Sequence, residues 1–404
     1  MAGMPSATFT HPSAVAAVPK RLVGLLATGA GLAVASIYYC QPLLGSLGES
    51  LHASPAQVGL IPTLTQLGYA LGILLLAPLG DRHDRRHIIA LKSGLLTLAL
   101  LACGLAPAVG PLMLASLAVG VAATLAQDIL PAAATVAPDA ERGRIIGAVM
   151  TGLLLGILLS RVASGWVAQQ WGWRTVFGLA AVAVAGFGVA AWRGLPRFAP
   201  TTQVRYGALI RSLVTLWHRY PELRKATCAQ ALLAAGFSAF WSTLALMLFQ
   251  RHHLGSAAAG TFGLVGAAGA LAAPLAGRWT DRHGAAVVTR ITSAVAAVSF
   301  AALALDLVLP DAAHLPLLVV ATLGFDFGMQ ATLVAHQTLV YGLEPAARSR
   351  LNAVLLSGMF AGMASGSALG SLAYAHWGWL GLVGFSTAVA SAAFVVRVLM
   401  TQKR

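Results

Sequence analysis

Four ionisable side chains interrupt apolar stretches of this chain: Asp128, Arg161, Asp326 and His336. A charged group in such a setting is costly and points to function by default. The chemistry open to these types is ion pairing and proton transfer. Asp128, Asp326 and His336 are candidate proton carriers, His336 because imidazole titrates near neutrality. At about 1.5 Å of rise per residue, Arg161 lies about 25 Å, Asp326 about 22 Å and Asp128 about 13 Å from the same end of their respective stretches. The matched depths predict that Arg161 and Asp326 meet, either as a working site or as a static pair that only fixes packing. Asp128 has a second reading, as partner to the arginines at 82–86 or to Arg142. His336 has one too, bonded to Gln337 or to a backbone carbonyl. Tyr38, Gln41, Gln66, Phe237, Trp241 and Gln330 are the aromatic and amide residues expected to line a cavity with Arg161 and Asp326, although each taken singly could be core packing. Such a lining suits a small or medium amphipathic organic solute.

Other chemistries are missing from the sequence. It has no H-E-x-x-H, no G-x-S-x-G, no nucleotide-binding loop and no paired catalytic aspartates. Cys40, Cys103 and Cys228 fall at unrelated spacings in apolar segments, so neither a metal centre nor a disulfide framework is expected. No cofactor is expected.

The elements that hold these residues follow from composition. Of 404 residues, 58% are hydrophobic and 9% charged, against about 25% charged in soluble domains. That excludes a soluble enzyme and predicts an all-α membrane protein. Uncharged runs, divided at Ala106–Pro111 and at Trp377-Gly378-Trp379, give twelve transmembrane helices near 22–44, 56–80, 87–106, 110–136, 144–168, 174–193, 226–249, 257–277, 286–309, 314–341, 350–373 and 379–400. Residues 1–21 and 401–404 are expected as cytoplasmic tails. With the N-terminus inside, 23 of the 26 Lys and Arg fall on inner loops and tails and 2 outside, so both termini are expected in the cytoplasm. The net charge of +14 then reports topology, and no nucleic-acid partner is expected.

An internal repeat divides the chain into six-helix halves, 22–193 and 226–400. Arg142-Gly143-Arg144, Gly152, Gly156 and Trp171-Gly172-Trp173 recur 206 residues later as Arg348-Ser349-Arg350, Gly358, Gly362 and Trp377-Gly378-Trp379. Asp81-Arg82-His83 recurs 200 residues later as Asp281-Arg282-His283. An even number of spans separates the copies, so they run parallel, with substrate expected between the halves near mid-membrane. The linker, 194–225, contains a helical pattern at 206–217 with Ile210, Leu213, Val214 and Trp217 on one face, expected to lie on the inner leaflet. Gly358, Gly362, Gly366 and Gly370 predict close helix packing. Gly260, Gly263, Gly266 and Gly269 thin the eighth span in the same way.

The segment Ala77-Pro78-Leu79-Gly80-Asp81-Arg82-His83-Asp84-Arg85-Arg86 resembles the G-x-x-x-D-R-x-G-R-R signature of the major facilitator superfamily, and the resemblance extends over the whole chain. Tyr38-Tyr39-Cys40-Gln41-Pro42, Thr65-Gln66-Leu67-Gly68-Tyr69 and Arg348-Ser349-Arg350-Leu351-Asn352 are similar to bacterial efflux-type permeases of the arabinose-efflux and drug:proton antiporter lineages. The resemblance implies two pseudo-symmetric six-helix halves and alternating access. It also implies a conformational latch at Asp81, Arg82, Arg85 and Arg86, with Arg142, Asp281 and Arg282, in which Asp81 faces the start of span eleven. The antiporter signature of span five departs here: its Gly-Pro pair is Ser160-Arg161. The expected function is proton-coupled efflux of a small organic solute by a monomer in the bacterial inner membrane. The alternatives are proton-coupled uptake and a membrane sensor without transport.

Overall fold

The computed structural model describes residues 18–138, 141–200, 202–270, 272–344 and 347–399. Residues 1–17 of the expected tail 1–21, and the expected tail 401–404, lie outside them. The spanning helices are α1 (Lys20–Ala35), α2 (Pro55–Leu76), α3 (Arg85–Gly104), α4 (Val109–Val136), α5 (Arg142–Trp171), α6 (Trp173–Gly194), α7 (Pro221–His252), a segmented α8 (Ser256–Thr261, Gly263–Ala270 and Ala272–His283), α9 (Ala285–Ala302) and α10 (Asp311–Tyr341). The continuous helix Arg348–Leu399 departs from helical geometry at Gly378, φ 60°, and so supplies α11 (348–377) and α12 (379–399). Nine helices among the described residues are long and apolar enough to cross a membrane. The shorter α1, the segmented α8 and the division at Gly378 account for the twelve expected spans.

Local chemistry sets several ends. Ser54 and Gln57 form a reciprocal capping box at the start of α2. Asp84 accepts the Arg86 N–H at the start of α3. Gly172, φ 82°, makes the one-residue joint between α5 and α6, a conformation only glycine adopts without strain. The first span differs from expectation: regular helix stops at Ala35, and Gln41–Leu43 is a 3₁₀ turn with Pro42 inside it. The break carries Tyr38 and Gln41.

The repeat seen in sequence is a repeat of packing. A Cβ on Gly152 or Gly156 would strike the α1 backbone at Ala27 or Gly31. One on Gly358 or Gly362 would strike α7 at Thr227 or Ala231. Gly366 and Gly370 continue the second row against Ala235 and Ala239. Each six-helix set therefore locks its first helix onto its fifth by backbone approach.

The sets meet along α2–α11 and α5–α8. Ser367 Oγ donates to the Gly59 carbonyl at 2.9 Å. Tyr69 packs on Phe360 with ring centroids 4.4 Å apart. Near the Trp-Gly-Trp end, Ala257 N–H donates to Gln169 at 2.9 Å, and a Cβ on Gly165 would meet the Ser256 carbonyl at 2.3 Å. That end is closed. The opposite, arginine-rich end holds a cavity of about 380 Å³ between the sets.

The linker helix, Tyr206–Arg219, is not laid on a leaflet by its whole apolar face. Leu213 and Leu216 are buried against Leu223, Val340, Leu351 and Leu355, and only Val214 of the expected face stays exposed. Its apolar stripe is covered by the ends of α7, α10 and α11.

Candidate functional site

The break after α1, the middle of α5, and helices α7, α8 and α10 converge on one buried cluster. Arg161 is its centre. Its Nε donates to Gln41 Oε1 at 2.8 Å. The guanidinium carbon lies 4.7 Å from the Tyr38 ring centroid and 4.3 Å from that of Trp241. Such contacts stabilise a desolvated cation by about 2 kcal/mol. Trp241 Nε1 donates to Asp326 Oδ1 at 3.3 Å. Arg161 and Asp326 are 4% and 3% exposed, both inside the bundle.

Arg161 and Asp326, expected to meet, are brought into one cluster through Trp241. No direct ion pair joins them among the described residues. Trp241 is the shared neighbour, its ring against the cation and its N–H on the carboxylate. The two residues share one depth in the bundle and one contact, the Trp241 indole.

The wall opposite Arg161 is backbone. A Cβ on Gly263 would lie 2.8 Å from Arg161 Cβ, and one on Gly266 would lie 2.6 Å from Asp326 Oδ2 and 2.9 Å from the Trp241 ring. These glycines, expected only to thin α8, make the room for the charged cluster. The surroundings of Gly269 are outside the described residues.

Gln66 joins the cluster's edge through Ser238, whose hydroxyl donates to Gln66 Oε1 at 3.0 Å. Ser238 lies one helical turn before Trp241, on the same face of α7. Phe237 packs on Trp241 and Phe325 with centroids 6.2 and 6.4 Å apart. Gln330 is half-buried on α10, and no hydrogen bond of its side chain is among the described contacts.

Asp128 belongs elsewhere. Lys92 Nζ donates to its Oδ2 at 2.6 Å, and both side chains are buried. This corrects the partner expected for Asp128, which was an arginine of 82–86 or Arg142. Lys92 lies inside the expected third span, 87–106. That was the available signal. The neighbouring Gln127 donates to Tyr69 Oη at 3.1 Å.

His336 is buried with Nδ1 2.9 Å from Gln230 Oε1 on α7. Gln337 instead donates to Asn352 at 3.1 Å, which corrects the expected His336 partner. Gln230 was missed because a single amide inside an apolar run carries no pattern.

In the expected latch, Arg85 holds Asp81 at 2.6 Å within one loop. Asp81, Arg85 and Asp128 line the cavity at the arginine-rich end, together with Ser349 and Arg350 at the start of α11. Arg86 stacks on Trp192 at 4.8 Å. Arg82 is half-buried, and Arg142 begins α5 at the same end. The second-half copy differs: Asp281 and Arg282 are exposed, with no ion pair among the described residues.

Comparison with known proteins bears on all of this. The family model described as Major Facilitator Superfamily matches residues 26–305 and 226–404. The chain is 34% identical over 364 residues to an uncharacterized transporter, YgaY, of Escherichia coli, covering 89% of this chain and 91% of that protein. It is 37% identical over 376 residues to a probable transporter, SCO4007, of Streptomyces coelicolor, covering 92% and 85%. Among solved structures it is similar in fold, with TM-score 0.75 at 16% identity, to a bacterial homolog of the human lysosomal transporter Spinster in an inward-facing, occupied conformation. That match covers 95% of this chain and 97% of the other.

Proposed function

The chain belongs to the major facilitator superfamily, and from that premise we propose that it is a secondary transporter that exports a small organic solute in exchange for protons. The protein works as a monomer in the bacterial inner membrane, with both termini in the cytoplasm. The observation that carries this reading is Arg161, a buried cation contacted from helices of both six-helix sets: Gln41 and Tyr38 from one, Trp241 from the other. Contacts of that kind cannot survive unchanged when the sets rock apart, so the state of this cluster and the state of the transporter are linked.

Asp326 carries the proton, because it shares Trp241 with Arg161 and lies in the region that rearranges. Asp128, held by Lys92 from its own set, serves as a strut. His336 is positioned by Gln230 and stays out of the coupling. The cavity at the arginine-rich end faces the cytoplasm, and the Asp81–Arg85 loop latches that side when it closes.

Counterflow in proteoliposomes against a panel of labelled solutes, with a pH-sensitive dye trapped inside, tests the reading. At least one solute is expected to exchange and to move the dye. Exchange of a solute without any proton signal would overturn the coupling, and a folded protein that exchanges nothing would overturn the transport reading.

A further inference from the structure

The Arg161 cluster contains hydrogen-bond donors with nothing to donate to. Arg161 Nη2 and Gln41 Nε2 are buried and have no partner, and so is one end of the Gln66 amide, Nε2. Buried polar atoms without partners are uncommon in folded proteins, so each needs a reason. For the first two the donor character is fixed by chemistry. A guanidinium has only N–H groups. It therefore obliges Gln41 to present its carbonyl oxygen to Arg161 Nε, and the Gln41 NH₂ must be the end left over. Two donors flank one hydrogen bond, and neither meets an acceptor.

The charge is also incompletely matched. Arg161 is 4% exposed, and no carboxylate forms an ion pair with it among the described residues. The Tyr38 and Trp241 rings lie against the guanidinium, with centroids 4.7 and 4.3 Å from its carbon. The N–H bonds of a guanidinium lie in its plane and point outward from its edge. An anion arriving in that plane would accept two parallel N–H bonds, the geometry guanidinium favours for carboxylates. The wall beside it, at Gly263 and Gly266, is bare backbone.

We propose that the solute recognised by the Arg161 cluster is an organic anion, bound through a carboxylate or sulfonate at the edge of Arg161 with Gln41 Nε2 as second donor and its apolar part against Tyr38 and Trp241. This assignment rests on the transporter reading and adds the substrate class to it. It also gives the buried cation a purpose that a packing role lacks: the orphaned donors are the unfilled half of a binding site, closed in the present conformation. An organic cation, by contrast, would face two N–H donors and a like charge.

Equilibrium binding by concentration-dependent thermal stabilisation of the purified full chain tests the class directly. The probes are benzoate and benzenesulfonate, with benzamide as neutral and benzyltrimethylammonium as cationic counterpart. The two anions are expected to stabilise the protein and the other two to have no effect. Arg161→Lys keeps the charge but not the planar fork, and is expected to weaken the anions about tenfold or more. Gln41→Glu supplies an internal carboxylate to Arg161; it is expected to fold at least as well as the parent and to abolish anion binding. Stabilisation by the cation in preference to the anions, no stabilisation by either anion, or undiminished anion binding in a monodisperse Gln41→Glu protein would each overturn the proposal. Counterflow of radiolabelled benzenesulfonate separates it from its premise. Exchange of the cation alone refutes the anion class and leaves a transporter; anion binding without exchange refutes transport and leaves the site.

Discussion

Two of the buried acid–base sets among the described residues are built in opposite ways. Lys92 and Asp128 are in direct contact at 2.6 Å, on α3 and α4 of the same six-helix set. Arg161 and Asp326, on α5 and α10 of different sets, share the neighbour Trp241 without a direct ion pair among the described residues, and Arg161 Nη2 has no partner. The difference teaches where a charge can do work. A pair inside one rigid set keeps its partner in every conformation, even where, as at Asp128, it borders a cavity between the sets, so its own contact is not remade by movement. A cluster shared between sets is remade each time they move. Its incomplete satisfaction is what a ligand or a proton can complete.

The comparison is broken most severely by cutting the satisfied pair. Lys92→Met strands a buried carboxylate, and the expected loss is about 3–5 kcal/mol, read as a sharp fall in yield of monodisperse protein and in melting temperature. Lys92→Met with Asp128→Leu removes both charges and is expected to recover most of that loss. Recovery of nothing would mean that the pair has further partners.

A smaller loss is expected from filling the wall of the other site. Gly266→Ala drives a methyl against Asp326 and Trp241, an overpacking that costs about 1–3 kcal/mol. Solute affinity should fall with it. The same substitution at Gly24, where a Cβ meets nothing within 4 Å, should change neither melting temperature nor affinity. Equal effects at the two positions would show that helix propensity, not the site, is being measured.

The smallest effect sharpens the role of the bridging indole. Trp241→Phe keeps an aromatic face for Arg161 and removes the N–H to Asp326. The expected cost in stability is about 0.5–1.5 kcal/mol, the net worth of one hydrogen bond. Proton coupling should change more than solute affinity, measured as the dye signal per solute exchanged.

Much of this was legible before any coordinates. The span pattern, the doubled Arg-x-Arg and Trp-Gly-Trp, and the shared depth of Arg161 and Asp326 follow from hydropathy, identity and helical rise, all of which are local properties. What escaped was set by contacts between distant segments. Lys92 sits in the first turns of α3 near the arginine-rich end, and only the packing of α3 on α4 shows it paired with Asp128. The break at Ala35 was hidden because residues 22–48 are uniformly uncharged, so hydropathy cannot tell helix from a buried turn. Gly263 and Gly266 read as packing because a glycine's purpose is what it leaves room for, here a guanidinium and a carboxylate from two other helices. The linker helix was legible as amphipathic, but its covering partner was not, since protein and lipid are equally good at burying leucine.

The central claim is that the pair within one set is structural and the cluster between sets is the working site. The most direct test is gradient-driven transport in proteoliposomes by two doubly neutralised proteins, Lys92→Met with Asp128→Leu and Arg161→Met with Asp326→Asn, each matched for amount and monodispersity. The account expects the first to retain transport and proton coupling and the second to lose both while remaining folded. Transport that survives in the second and vanishes in the first would contradict it.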